Sequence, residues 1–217
     1  MSTTRGVGFL GVHSESCLDS SPAWAENQPM SSLVEVASPL EVASLWRLGF
    51  LTGDDVSAIC MRWLEEDLDR GDPNVAAFAG EAGLSIVEIA PAFERALQSV
   101  GGRPIGRDEA ILHALRLHLA AALEGDLMTG VQNILYRFQG LSERRLVHNP
   151  RRAMDRPEGV YAEQELGLEY IYGGYFAFDD IGHLSADEQE AAKAELRQQM
   201  RDAICELKDH LAASLGP

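Results

Sequence analysis

An all-α fold is predicted for this chain of 217 residues, and three observations predict it. Apolar residues recur at helical rather than alternating spacing through most segments. Helix start signals open those segments and glycines close them. One stretch, Arg107–Gly125, is apolar around nearly its whole circumference. Ile111, Ala114, Leu115 and Ala122 lie on one side, Leu112, Leu119 and Leu123 next to it, and Leu117 and Ala121 behind. Only Glu109, His113, Arg116 and Glu124 fill a narrow polar strip. Such a helix must be surrounded by protein. The expectation is a single-domain bundle of about seven helices around this central buried helix.

Residues 1–32 are expected to form a disordered or loosely attached leader, because Ser, Pro, Asn and Gln dominate Ser14–Ser32 and leave little to bury. Gly6–Val12 is too short and glycine-broken for a convincing signal peptide. The helical domain is expected over 33–217. Within Leu33–Gly49, the residues Leu40, Ala43, Leu45, Trp46 and Leu48 read as a short amphipathic helix stopped by Gly49. Thr52 looks like the N-cap of a helix running to about Arg70, with Val56, Ile59, Cys60, Trp63 and Leu64 inward. Asp55, Arg62, Glu65, Glu66 and Asp69 fall on its outer face, and Asp67 lies by angle beside Trp63.

Pro73 suits the first position of a short helix through Phe78 and Ala79. Ser85-Ile-Val-Glu88 reads as a capping box, with Ile86, Ile89, Ala90, Phe93 and Leu97 inward; Pro91 is expected to kink this helix or move its start to Ala90. After the central helix, Thr129 is expected to cap one with Val131, Ile134, Leu135 and Phe138 inward, ending at Gly140. Residues 142–157 read as a basic loop holding Arg144, Arg145, Arg151, Arg152 and Arg156. Last comes a long C-terminal helix over 185–215, opened by a Ser185–Glu188 box and striped by Ala192, Leu196, Met200, Ala203, Ile204, Leu207, Leu211 and Leu215.

Leu166–Asp180 supports two readings. Gly173-Gly174 between Tyr170/Tyr172 and Tyr175/Phe176/Phe178 is a hairpin signal, giving one small β-hairpin near 168–178. At helical period, Leu166, Tyr170, Gly173, Gly174 and Ala177 form a face whose glycines permit close helix approach. An isolated hairpin is marginal and every other element is helical, which favours helix.

The net charge of −16 argues against nucleic acid, whose phosphates it repels. It favours solubility and steers basic proteins toward the surface. No apolar run is long enough for a membrane span. Three cysteines, Cys17, Cys60 and Cys205, have no paired spacing, which points to a cytoplasmic location. No glycine-rich phosphate loop, GxSxG or HExxH occurs, and no cofactor is expected.

His113 and His118, five apart, diverge on one helix and cannot share an ion from it. His118 reads as a hydrogen-bonded core histidine, and His113 as a local partner of Glu109. Asp179, Asp180 and His183 form the remaining cluster, which could bind a divalent ion or act as acid and base. The plainer reading is that they satisfy backbone groups ahead of Ser185. The arginine loop could grip phosphate or a carboxylate-rich partner; the favoured, plainer reading is a solvated loop, or one folded over the chain's own acids.

The order LWRLGFLTGDDV, WLEEDLDRGDPNVAAFAGE, a capped helix ending in Phe93 and Leu97, then AALEGDL resembles small uncharacterised bacterial helical proteins, some of them suspected immunity proteins of toxin systems. The likeness covers at most Leu40–Asp180 and rests on helix punctuation and apolar spacing. It implies neutralisation of a cognate toxin by occlusion, without catalysis. The leading expectation is therefore an acidic module that binds a basic partner protein, with Asp55, Glu65, Glu66, Asp69, Tyr175, Asp179 and Asp180 as contact residues. The alternative is a helical metal- or ligand-binding enzyme using Asp179, Asp180 and His183. A homodimer on the last helix is a further option.

Overall fold

The computed structural model describes residues 31–141, 146–147 and 166–216. The expected leader, apart from its last two residues, and the five arginines of the basic loop lie outside the described residues. What is described is an all-α bundle: α1 Ser31–Val34, α2 Pro39–Leu48, α3 Gly53–Glu65, α4 Pro73–Phe78, α5 Ile86–Ser99, α6 Arg107–Glu124, α7 Leu127–Phe138, α8 Glu169–Asp180 and α9 Ala186–Leu215. A 3-10 turn, Ile181–His183, joins the last two.

α6 is the centre. It packs along α2, α7 and α9 and touches α1, and Ile111, Ala114, Leu115 and Leu119 are inaccessible. On one side the chain of contacts runs from α2 to α5, α4, α3 and α1; on the other, α9 carries α8. Two aromatic groups lock these layers. Trp63 stacks on Phe93 with centroids 6.0 Å apart, and Trp46 meets Phe93 edge-on at 4.8 Å. Phe138 packs edge-on against both Phe50 (5.6 Å) and His118 (5.1 Å). Such pairs contribute about 1 kcal/mol each beyond their burial.

Local chemistry sets the helix ends. Ser38 and Glu41 form a capping box: the Ser38 N–H donates to Glu41 Oε2 at 2.8 Å. Thr52 and Asp55 repeat it, the Thr52 N–H donating to Asp55 Oδ2 at 2.8 Å. At α9 the Glu188 carboxylate accepts from the Ser185 N–H at 3.0 Å, as the sequence predicts. Each such cap contributes on the order of 1 kcal/mol. α2 stops where Gly49 (φ 72) turns left-handed and the Phe50 N–H reaches back to Leu45 O.

Several boundaries differ from expectation. α3 ends at Glu65, not near Arg70. Asp67 takes φ 55, its N–H donates to Leu64 O, and the Leu68 N–H donates to Trp63 O. That is the same terminating motif as at Gly49, made by an aspartate. Asp67 is consequently exposed rather than beside Trp63. Ser85 occupies the N-cap of α5 without a side-chain cap bond, so the expected box does not form. Pro91 lies inside α5, and Val87, whose carbonyl loses its donor to the proline, is on the solvent face. α7 is capped by Asp126, whose carboxylate accepts from the Thr129 N–H at 2.8 Å; Thr129 is the donor, not the cap.

The ambiguous stretch is helical. Its inner face is Ile171, Tyr172, Gly174, Tyr175 and Phe178. Of the predicted Leu166, Tyr170, Gly173, Gly174 and Ala177, Leu166 and Gly174 face inward while Tyr170 and Gly173 are exposed. Close approach is real at Gly174 alone of the pair: a Cβ there would lie 2.6 Å from Met200 Cγ, while Gly173 faces open space.

Candidate functional site

Of the seven sequence-predicted contact residues, Asp55 and Glu65 lie on α3, Glu66 at its C-cap and Asp69 in the turn before α4. Tyr175, Asp179 and Asp180 lie on α8, and the two helices pack on different neighbours. α3 lies against α4 and α1, whereas α8 lies against α9 and α7. Asp55 is a correction. It is only 9 % exposed, because its carboxylate turns back onto the Thr52 N–H and hydroxyl, so it is structural. Glu65 and Glu66 are exposed at the end of α3, Glu66 standing 3.9 Å from Arg62. Asp69 is half-buried, and its carboxylate accepts from the Gly71 N–H at 2.9 Å, holding the turn before α4.

On α8 the pattern is different. Tyr172, Phe176, Asp179 and Asp180 stand at i, i+4, i+7 and i+8, one stripe of a helix, with Tyr172 half-buried against the core at its inner edge. Phe176 is 45 % exposed. Its ring lies 4.4 Å from Tyr172 and 5.4 Å from Tyr175. Asp179 and Asp180 face solvent at the helix C-terminus. Beyond the 3-10 turn, the first turns of α9 add exposed Asp187, Glu188 and Glu190. Tyr175 was chosen from sequence but is half-buried against the core. Phe176, one residue on, is the accessible ring. Its spacing from Tyr172 and Asp179 was the signal that could have found it.

The metal reading of Asp179, Asp180 and His183 gains nothing from the geometry. His183 Nδ1 donates to the backbone carbonyl of Asp180 at 2.7 Å, which closes the end of α8. Among the described residues no group of three or more His, Cys, Asp or Glu side chains is placed to hold an ion.

The α6 histidines separate as their spacing requires. His118 is buried, and its Nδ1 donates to Ala114 O at 2.8 Å; burial holds its pKa down at about 4. His113 belongs to no polar strip: it is 8 % exposed, with Nε2 3.9 Å from Glu109. Burial lowers its pKa despite that carboxylate. Glu109 is gripped by both arms of Arg103, which holds its carboxyl below the usual range. Arg116 reaches Glu41 at 3.0 Å. These pairs pin α6 to α2 and to the linker before it.

Among the described residues no helix is long and apolar enough to cross a membrane. Comparison with family models, with curated proteins and with solved structures gives no match for this chain.

Proposed function

We propose that this chain is an acidic docking module that occludes a basic partner protein, in the manner of an immunity-type inhibitor, with the outer stripe of α8 as its contact. The observation that carries the reading is the exposed Phe176 ring beside Tyr172, one helical turn from the free carboxylates of Asp179 and Asp180. An arginine or lysine laid over Phe176 would gain about 0.5–2 kcal/mol from the ring as water leaves, while its charge meets the two aspartates. Aromatic anchors supply the stable contact in interfaces, and the surrounding charge sets encounter rate and partner choice. A net charge of −16 gives the long-range pull, which salt weakens. Glu65 and Glu66 lie on a separate element and support steering rather than the anchor.

The test is binding to the product of the adjacent gene, measured at low and moderate salt. A complex is expected whose association slows as salt rises, and Phe176→Ala should weaken it at least about tenfold with an unchanged far-ultraviolet spectrum. No complex at either salt concentration, or a Phe176→Ala variant that binds like the parent, overturns the reading.

A further inference from the structure

A cleft of about 270 Å³ opens between α2, α5 and the linker before α6. Its apolar walls include Leu97, Ile105 and the ring of Trp46. Trp46 is fixed twice, edge-on against Phe93 and by its indole N–H, which donates to Glu94 at 3.4 Å. Two arginines line the same cleft, exposed Arg47 from the last turn of α2 and Arg103 from the linker. The chain has 18 bases against 34 acids. Arg103 is already neutralised by Glu109, whereas Arg47 has no ion pair or hydrogen bond among the described residues.

We propose that this cleft binds a small organic monocarboxylate with an aromatic or aliphatic body. An apolar cavity of roughly 150 Å³ accommodates benzene, so the volume here suits one ring with a short acidic arm. It falls below the ~300 Å³ at which drug-sized sites begin. The body lies along Trp46, Leu97 and Ile105, and the carboxylate meets the planar fork of Arg47, which matches two oxygens at once. Arg47 supplies the one uncommitted guanidinium, which matches a single carboxylate. The Glu94 carboxylate, accepting from the Trp46 indole N–H, stands in the same lining and leaves no further positive charge to hold a dianion such as a phosphate ester. The site is independent of the α8 stripe, since none of its lining residues lies on α8 or α9.

The experiment uses the full chain labelled with 15N, following the indole N–H signal of Trp46, assigned by its loss in Trp46→Phe. The probes are phenylacetate, its neutral analogue phenylacetamide, and phenyl phosphate. Phenylacetate should shift the Trp46 signal saturably. Phenylacetamide and phenyl phosphate should bind at least about tenfold more weakly, and Arg47→Gln should cost phenylacetate about tenfold or more, the worth of one charge-assisted pair. Arg201→Gln, on the exposed face of α9, should leave the titration unchanged. The proposal is overturned if phenylacetamide titrates Trp46 as strongly as phenylacetate. It is equally overturned if Arg47→Gln binds like the parent, or if millimolar phenylacetate leaves the Trp46 signal in place.

Discussion

Adjacent glycines in α8 should respond to the same substitution with opposite signs. Alanine is favoured over glycine in a helix interior by about 0.8–1 kcal/mol, so Gly173→Ala, with nothing within 4 Å of the added methyl, should stabilise by roughly that amount. Gly174→Ala gains the same backbone term. Its methyl, however, would lie 2.6 Å from Met200 Cγ and 3.3 Å from Met200 Sδ. Met200 is inaccessible, and Cγ is not the free end of its side chain, so α8 must move off α9. Overpacking of this kind costs about 1–3 kcal/mol. The net change is then between about zero and 2 kcal/mol destabilising, and the two variants should differ by about 1–3 kcal/mol. At roughly 2–4 °C per kcal/mol for a chain of this size, the melting points should separate by several degrees. Urea and thermal unfolding followed by circular dichroism measure it. In a Met200→Ala background the penalty at 174 should largely vanish, a coupling that a double-mutant cycle isolates. Equal stabilisation by both alanines would show that the α8–α9 crossing is not this close.

Two further outcomes follow from buried titratable groups. His118 is neutral when folded, with its pKa at about 4 against an ordinary 6.5. The unfolded chain therefore takes up the proton first, so stability is full above about pH 6.5 and falls as the pH drops toward about 4. The fall is on the order of 3 kcal/mol, and His113, also shifted down by burial, acts in the same direction. Urea midpoints across this window should decline more steeply for the parent than for His118→Gln; parallel curves would refute the assignment. Burial also pushes the Cys60 thiol up to about 12, while Cys205 is exposed. A thiol reagent should label Cys205 in the native protein and Cys60 only on unfolding, as located by peptide mass; comparable native rates would contradict the packing of α3.

Much of this architecture was legible in the sequence because period and punctuation agreed. α6 declared itself by having almost no polar face, and Met200, Ala203, Ile204, Leu207 and Leu211 all fall on the predicted stripe of α9 and are buried. The failures share a physical cause: a polar residue near a helix end has more than one use. Asp55 was read as surface charge because its angle points outward, but a carboxylate three residues after a threonine cap turns back to the backbone. Asp67 lies beside Trp63 only if the helix continues through it; it takes left-handed backbone instead, which is expected of glycine but which Asp tolerates. Thr129 and Asp126 are both good caps by type, and only the turn after Gly125 decides between them. Ser38-Pro-Leu-Glu41 carries a capping signature as clear as that at Ser185, and the structure forms both boxes. For the candidate surface, the acids were visible but not their accessibility, so Tyr175 was chosen where Phe176 is the exposed ring.

These uses divide the acids into two classes, and the division bears on function. Glu41, Asp55, Asp126 and Glu188 serve N-termini, where the helix dipole favours negative charge. Asp179 and Asp180 do the reverse. They occupy the last turn of α8, which carries no basic residue, and there the dipole disfavours them by a few tenths of a kcal/mol each when exposed to solvent. A fold governed by stability alone would place a neutral or basic side chain at that end. Replacing both with asparagine should therefore stabilise the isolated protein by about 0.5–1 kcal/mol while weakening its complex with a basic partner and flattening the salt dependence of that complex. Denaturant unfolding reads the first effect and association kinetics the second. If Asp179→Asn/Asp180→Asn destabilises the free protein, the two carboxylates are structural, and the α8 stripe loses its claim to be a contact surface.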